Sequence, residues 1–239
     1  MRISKNKVHS SDLVDSQRAI GKDIPFAIEE SFRSLYSNIL YLPIESKCKK
    51  IALTSAFSGE GKTFISINLA LTIALNSSES RVLLIDSDMR SPRVHKLLSL
   101  KSDNNHGLSE YLAGIDEYPA FSATDYPNLT VLTSGASSVN TVGLLSSGRM
   151  KTLIELVSEQ FDYVIFDTPP VNIVSDAMLL SDKVDGYVVV TRADYSDVNS
   201  VSDALYQLEN VDANVLGFVL CAVAVQGKKY GHYYYSSKG

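Results

Sequence analysis

Ile51-Ala52-Leu53-Thr54-Ser55-Ala56-Phe57-Ser58-Gly59-Glu60-Gly61-Lys62-Thr63 runs from an apolar strand through a glycine-rich turn into an apolar helix expected over 64–75. That order of strand, glycine loop and helix is what a phosphate-binding loop requires. Glycines let successive backbone N–H groups converge on an anion, and the helix N-terminus adds positive potential. Ser58, Gly59, Glu60, Gly61, Lys62 and Thr63 are therefore the expected phosphate-binding stretch, with Lys62 on the β- and γ-phosphates and the Thr63 hydroxyl on Mg²⁺. The first glycine of G-x-x-x-x-G-K-[ST] is Ala56 here, which fits only where the backbone does not need positive φ.

Outward from this loop, short apolar runs at 50–56, 81–86, 129–133, 163–167, 187–191 and 215–219 alternate with helical stretches. Continuous apolar strands separated by helices predict an α/β fold with a mostly parallel twisted sheet covered on both faces. Two of the strands end in acids: Val82-Leu83-Leu84-Ile85-Asp86-Ser87-Asp88 and Tyr163-Val164-Ile165-Phe166-Asp167. Open α/β sheets place their ligand crevice at such strand ends. Mg²⁺ takes hard oxygen ligands and keeps several waters, so Asp86, Asp88 and Asp167 join Thr63 as candidate metal ligands, directly or through water. Asp176, Asp182, Asp185 and Arg192 are read as caps and solvated charge.

The ends differ from the middle. Residues 1–24 are polar and read as a flexible segment; 25–225 form one domain, opened by an amphipathic helix at 25–42; 226–239 form a flexible tail. Four of the thirteen tyrosines, Tyr230, Tyr233, Tyr234 and Tyr235, crowd that tail beside Lys228, Lys229 and Lys238. Net charge −5 argues against whole-molecule attraction to nucleic acid or anionic lipid. Cys48 and Cys221 have no zinc-ligand spacing, and no signal-peptide core or membrane-length apolar run is present, so the expected location is the cytoplasm.

The residues S-G-E-G-K-T, L-L-I-D-S-D-M-R-S-P, V-I-F-D-T-P-P-V, Leu144-Leu145-Ser146-Ser147 followed by Arg149-Met150, and the tyrosine-rich end together resemble the bacterial tyrosine kinases of capsule and exopolysaccharide synthesis. The resemblance implies a P-loop NTPase with MinD/ParA-like architecture. It also implies an ATP- and Mg²⁺-dependent autokinase that phosphorylates Tyr230, Tyr233, Tyr234 and Tyr235, mainly between subunits of a ring. Lys62 would stabilise the transferring phosphoryl group, and Asp86, with Asp88 beside it, would take the phenol proton. A phenol of pKa ~10 needs only modest help to lose that proton.

The family's E-x-x-R-x-x-R interface motif reads Glu30-x-x-Arg33-x-x-Tyr36 here, which makes Glu30 and Arg33 the expected interface pair. Its usual asparagine after the last strand, near the adenine, is Cys221, and its P-N-P-S-E stretch reads Ser138-Val139-Asn140-Thr141-Val142-Gly143. The implied partners are a membrane activator of the polysaccharide co-polymerase kind, which would recruit the kinase to the inner face of the membrane, and a cytoplasmic tyrosine phosphatase. A MinD/ParA-type ATPase switch is the alternative, although that family's early loop lysine is Phe57 here. An inactive nucleotide-binding scaffold is the other.

Overall fold

Pro25 has no N–H to lose and stands just ahead of α1 (Phe26–Leu40), whose Phe32 and Ile39 are buried. The helix stops two residues short of the expected 42, where the Lys49 ammonium donates to the carbonyls of Ile39 and Leu40 at 3.1 and 2.7 Å. A cation at this end offsets the negative pole of the helix. The computed structural model describes residues 25–100 and 106–223; the expected flexible segment 1–24 and the tail 226–239 lie outside them.

Seven strands form one sheet in the order β3-β4-β2-β5-β1-β6-β7, comprising β1 (Lys49–Ser55), β2 (Val82–Asp86), β3 (Phe121–Ala123), β4 (Leu129–Leu132), β5 (Tyr163–Asp167), β6 (Gly186–Arg192) and β7 (Val215–Cys221). All neighbours are parallel except β3 and β4. β3 was not legible in the sequence: three residues give no usable period, and an edge strand is defined by its pairing.

Alternation across the pleat divides the core. Ile51, Leu53, Val82, Leu84, Ile165 and Val190 face the layer of α1 and α2 (Lys62–Asn76), whereas Ala52, Leu83, Ile85, Phe166 and Val189 face the opposite layer. That opposite layer contains α4 (Leu108–Ala113), α6 (Gly148–Gln160) and α7 (Val198–Glu209), with the short α3 (Val94–Leu97) and α5 (Thr141–Leu145) in the connections. α2 is buried from Ile65 to Ala74, because α1 covers the side that the sheet does not. This explains its near-continuous apolar sequence. The chain leaves β1 for β2, then returns to insert β5 between them, before continuing through β6 to β7. The reversal puts the carboxyl ends of β1, β2 and β5 side by side, the place where open α/β sheets bind ligands.

Candidate nucleotide and phosphotransfer site

Between β1 and α2 the chain turns at Gly59 (φ 85°) and Gly61 (φ 94°), both in the left-handed region. Ala56 does not have positive φ and is fully buried, so a methyl group replaces the usual glycine hydrogen there without backbone strain. Four consecutive carbonyls of the loop are held from outside. Phe57 O accepts from Ser55 Oγ at 2.7 Å, Ser58 O from Tyr195 Oη at 3.1 Å, Gly59 O from Arg192 Nη1 at 3.0 Å and Glu60 O from Cys221 Sγ at 3.0 Å. In a planar peptide the N–H points opposite the C=O, so anchoring the carbonyls outward turns the following N–H groups toward the concave side. A ring of inward N–H groups is an anion nest.

The expectation for Glu60 concerned its backbone, and its side chain has a separate part. It is fully buried behind the loop, where Oε2 accepts the Phe57 N–H at 2.7 Å and Oε1 accepts the Ser196 hydroxyl. Glu60 therefore braces the loop with its side chain while its backbone stays in the nest. Arg192, Tyr195 and Ser196 were missed as parts of the site, and Cys221, expected near the adenine, was missed as a partner of the phosphate loop. They lie 133 to 161 residues away from their loop partners, and no local pattern marks them.

Lys62 opens α2 as a buried cation, and burial pulls its ammonium below the usual lysine range against the opposing pull of Asp167, Asp88 and Glu60. Asp167 ends β5 in register with Asp86 of β2. It is buried, and desolvation lifts its carboxyl to about 6, opposed by Lys62, the Thr63 hydroxyl and Ser66, whose Oγ donates to Oδ1 at 3.0 Å. Asp86 is fully buried and pushed well above the carboxylate range by desolvation and by Asp167. Its Oδ2 accepts the N–H groups of Arg93 and Val94 at 3.2 and 3.1 Å, and its Oδ1 accepts that of Asp88 at 3.3 Å. Asp88 is half-buried and the more open of the pair. Between them Ser87 Oγ is buried without a hydrogen-bond partner.

Asp176 and Arg192 differ from their reading as caps or solvated charge. Asp176 is buried and pairs with Arg90, whose Nε and Nη2 reach its carboxylate at 2.8 and 3.0 Å and whose Nη2 also donates to Thr141 Oγ1 at 2.7 Å. This pair ties the segment after β2 to the 3₁₀ turn Ser175–Leu180. Thr141 thereby gives the Ser138-to-Gly143 stretch a role that its sequence did not disclose. Ser147 caps α6, and Arg149 stacks 4.4 Å above the Tyr111 ring while donating to Tyr111 O and Asp116 O, so the motif around Leu144 to Met150 serves packing. Arg33 donates to Glu30 at 2.7 Å and to Glu29 at 2.6 Å within α1, all exposed.

The parallel sheet, its switch point and the loop define a P-loop NTPase, a nucleotide-binding fold. A family profile described as an AAA domain matches residues 48–216. Tyrosine-protein kinase CpsD of Streptococcus agalactiae is 34% identical over 93% of this chain and 93% of its own length. The solved kinase domain of Escherichia coli tyrosine kinase ETK is 34% identical, with a TM-score of 0.77, covering 90% of this chain and 88% of that one. MinD of Pyrococcus horikoshii, solved with Mg-ADP, shares the fold at TM-score 0.59 and 24% identity over 72% of this chain and 70% of that one. The chain belongs to the bacterial tyrosine-protein kinase family, and it is a tyrosine kinase.

Proposed function

We propose that this chain is an ATP-dependent tyrosine autokinase that phosphorylates Tyr230, Tyr233, Tyr234 and Tyr235 of a neighbouring copy and so regulates capsular or exopolysaccharide synthesis and export. The observation that carries the reading is where the chain leaves the sheet. β7 ends at Cys221, whose thiol touches Glu60 O of the phosphate loop, so the segment bearing the tyrosines departs beside the site. Nine residues separate Cys221 from Tyr230, at most about 30 Å of chain.

Thr63, Asp88 and Asp167 form a hard-oxygen set on one edge of the crevice, with the unpartnered Ser87 Oγ beside them, and this chemistry fits Mg²⁺. Among the described residues no group of three or more His, Cys, Asp or Glu is placed to hold a metal ion by itself. When bound, the ion neutralises charge on the phosphates. The loop N–H groups and Lys62 hold and orient the β- and γ-phosphates, and their charge stabilises the transferring group. Asp86 is the carboxylate proposed to take the phenol proton, through Oδ1, the oxygen with a single long backbone donor among the described residues. Asp88, half-buried beside Asp86, would hold the ion through water.

Family resemblance supports a ring built through Glu30 and Arg33, a membrane activator of the polysaccharide co-polymerase kind that recruits the kinase to the inner face of the membrane, and a resetting phosphatase. Among the described residues no helix is long and apolar enough to cross a membrane. The test is mass spectrometry of the purified chain after Mg-ATP incubation, with Lys62→Met in parallel and the activator's cytoplasmic end supplied. Phosphate on the four tail tyrosines in the wild type alone is expected. Labelling that persists in Lys62→Met would overturn the assignment, and ADP release with unmodified tyrosines would point to an ATPase switch.

A further inference from the structure

Tyr195 stands out among the tyrosines of the described structure. Tyr41, Tyr118 and Tyr206 are exposed as well, but Tyr195, 57% exposed, is the one whose hydroxyl bonds the phosphate loop. It belongs to a tight turn after β6, in which the N–H groups of Tyr195 and Ser196 both return to Arg192 O at 3.2 and 2.9 Å, and Asp194 takes φ 62°. The turn presses three side chains onto the loop: Arg192 on Gly59 O, Tyr195 on Ser58 O and Ser196 on the Glu60 carboxylate. The Arg192 guanidinium also lies 5.9 Å from the Tyr195 ring centre.

We propose that Tyr195 is a further phosphorylation site, modified by another copy of this kinase, and that phosphate there loosens the loop and weakens nucleotide binding. The inference rests on the tyrosine-kinase reading above. Tyr195 lies on the carbonyl side of the loop, whereas nucleotide phosphates belong on the N–H side. The loop itself separates Tyr195 from the nucleotide its own copy binds, so the donor is ATP held by a second copy. The Tyr195 oxygen forms a bond to the γ-phosphorus, the bond from that phosphorus to the bridging oxygen breaks, ADP leaves, and the phenol proton passes to a carboxylate of the donor site.

The consequence follows from charge. Phosphorylation removes the hydroxyl proton that Ser58 O accepts and adds about −1.5 to −2 charge on the rim of an anion site. Arg192 is the cation beside the ring, and a charge-assisted bond to phosphate is roughly twice as strong as its present bond to the neutral Gly59 carbonyl. Arg192 therefore moves to the phosphate. Two of the four outward carbonyl contacts are lost together, just where the ATP phosphates meet added negative charge.

The experiment mixes wild-type chain with an isotopically heavy Lys62→Met chain in Mg-ATP and maps phosphate by mass spectrometry, using Tyr195→Phe to verify the peptide assignment. Phosphate on Tyr195 of the heavy chain, together with tail labelling, is the expected result. Tail labelling with Tyr195 unmodified throughout would overturn this inference and leave the proposed function standing; no phosphate on any tyrosine would overturn both. A chain carrying phosphotyrosine installed at position 195 should bind fluorescent ADP about tenfold or more weakly than the unmodified chain. Equal affinity would overturn the regulatory half of the proposal.

Discussion

Asp167 is an acid kept in an environment that resists its charge: burial lifts the carboxyl to about 6, although Lys62, Thr63 and Ser66 all favour the anion. The unfolded value is near 3.9. A group raised in the folded state holds more protons there than when unfolded. Its stabilising contribution is therefore complete below about pH 4 and is lost as pH rises through about 6. Asp86 is shifted in the same direction. Nucleotide-free protein should lose on the order of 2 kcal/mol across that window through Asp167, and Asp167→Asn should flatten the profile and be the more stable chain at pH 7. Denaturant titrations at pH 4, 5, 6 and 7 measure this, and parallel profiles for the two proteins would refute it. The places of Lys62, Asp86 and Asp167 in the fold were legible because each follows or precedes a run of apolar residues that fixes it at a strand end or helix start. Glu60 was expected in the phosphate-binding stretch, but its sequence position gives no sign that its carboxylate folds behind the loop.

At the level of elements, the phosphate loop is a hinge of glycines made rigid by a turn that follows β6, the strand beside β1. Glu60 joins the two, accepting from Phe57 N on one side and Ser196 Oγ on the other. Glu60→Gln keeps the size but gives one of these donors an NH₂ group to face. The expected cost is about 1–2 kcal/mol, with roughly tenfold weaker nucleotide binding. ADP titration and thermal unfolding of the variant measure both quantities. An unchanged affinity would mean that the loop holds its shape without the brace. The helix and strand positions were readable from period and capping chemistry, as with Tyr163–Asp167, whose bounds match the expectation. β3 and the turn around Tyr195 were not readable, because both are defined by partners distant in sequence.

For the whole molecule, the residues of α1 proposed as an interface lie apart from those it buries. Its inward residues Phe32 and Ile39 are buried, and Phe32 meets Phe64 edge-on at 6.0 Å, whereas Glu30 and Arg33 pair with each other on the outer surface. Exposed ion pairs of this kind contribute about 0–0.5 kcal/mol. Replacing both Glu30 and Arg33 by Ala should leave the unfolding midpoint nearly unchanged and remove higher oligomers in analytical ultracentrifugation. Persistence of the oligomer would exclude this face as the interface. The sequence by itself determined the parallel α/β sheet, the loop and the acids at its strand ends, because each rests on local periodicity or on residues adjacent in the chain. Only the tertiary structure decided that Ala56 fits without strain, that Glu60 and Arg90 are braces, and that Arg192, Tyr195, Ser196 and Cys221 shape the loop. The physical reason is that a hydrogen bond between residues far apart in the chain, 51 positions for Arg90 and Thr141 and 161 for Cys221 and Glu60, leaves no periodic trace and exists only once the strands have placed its donor and acceptor together.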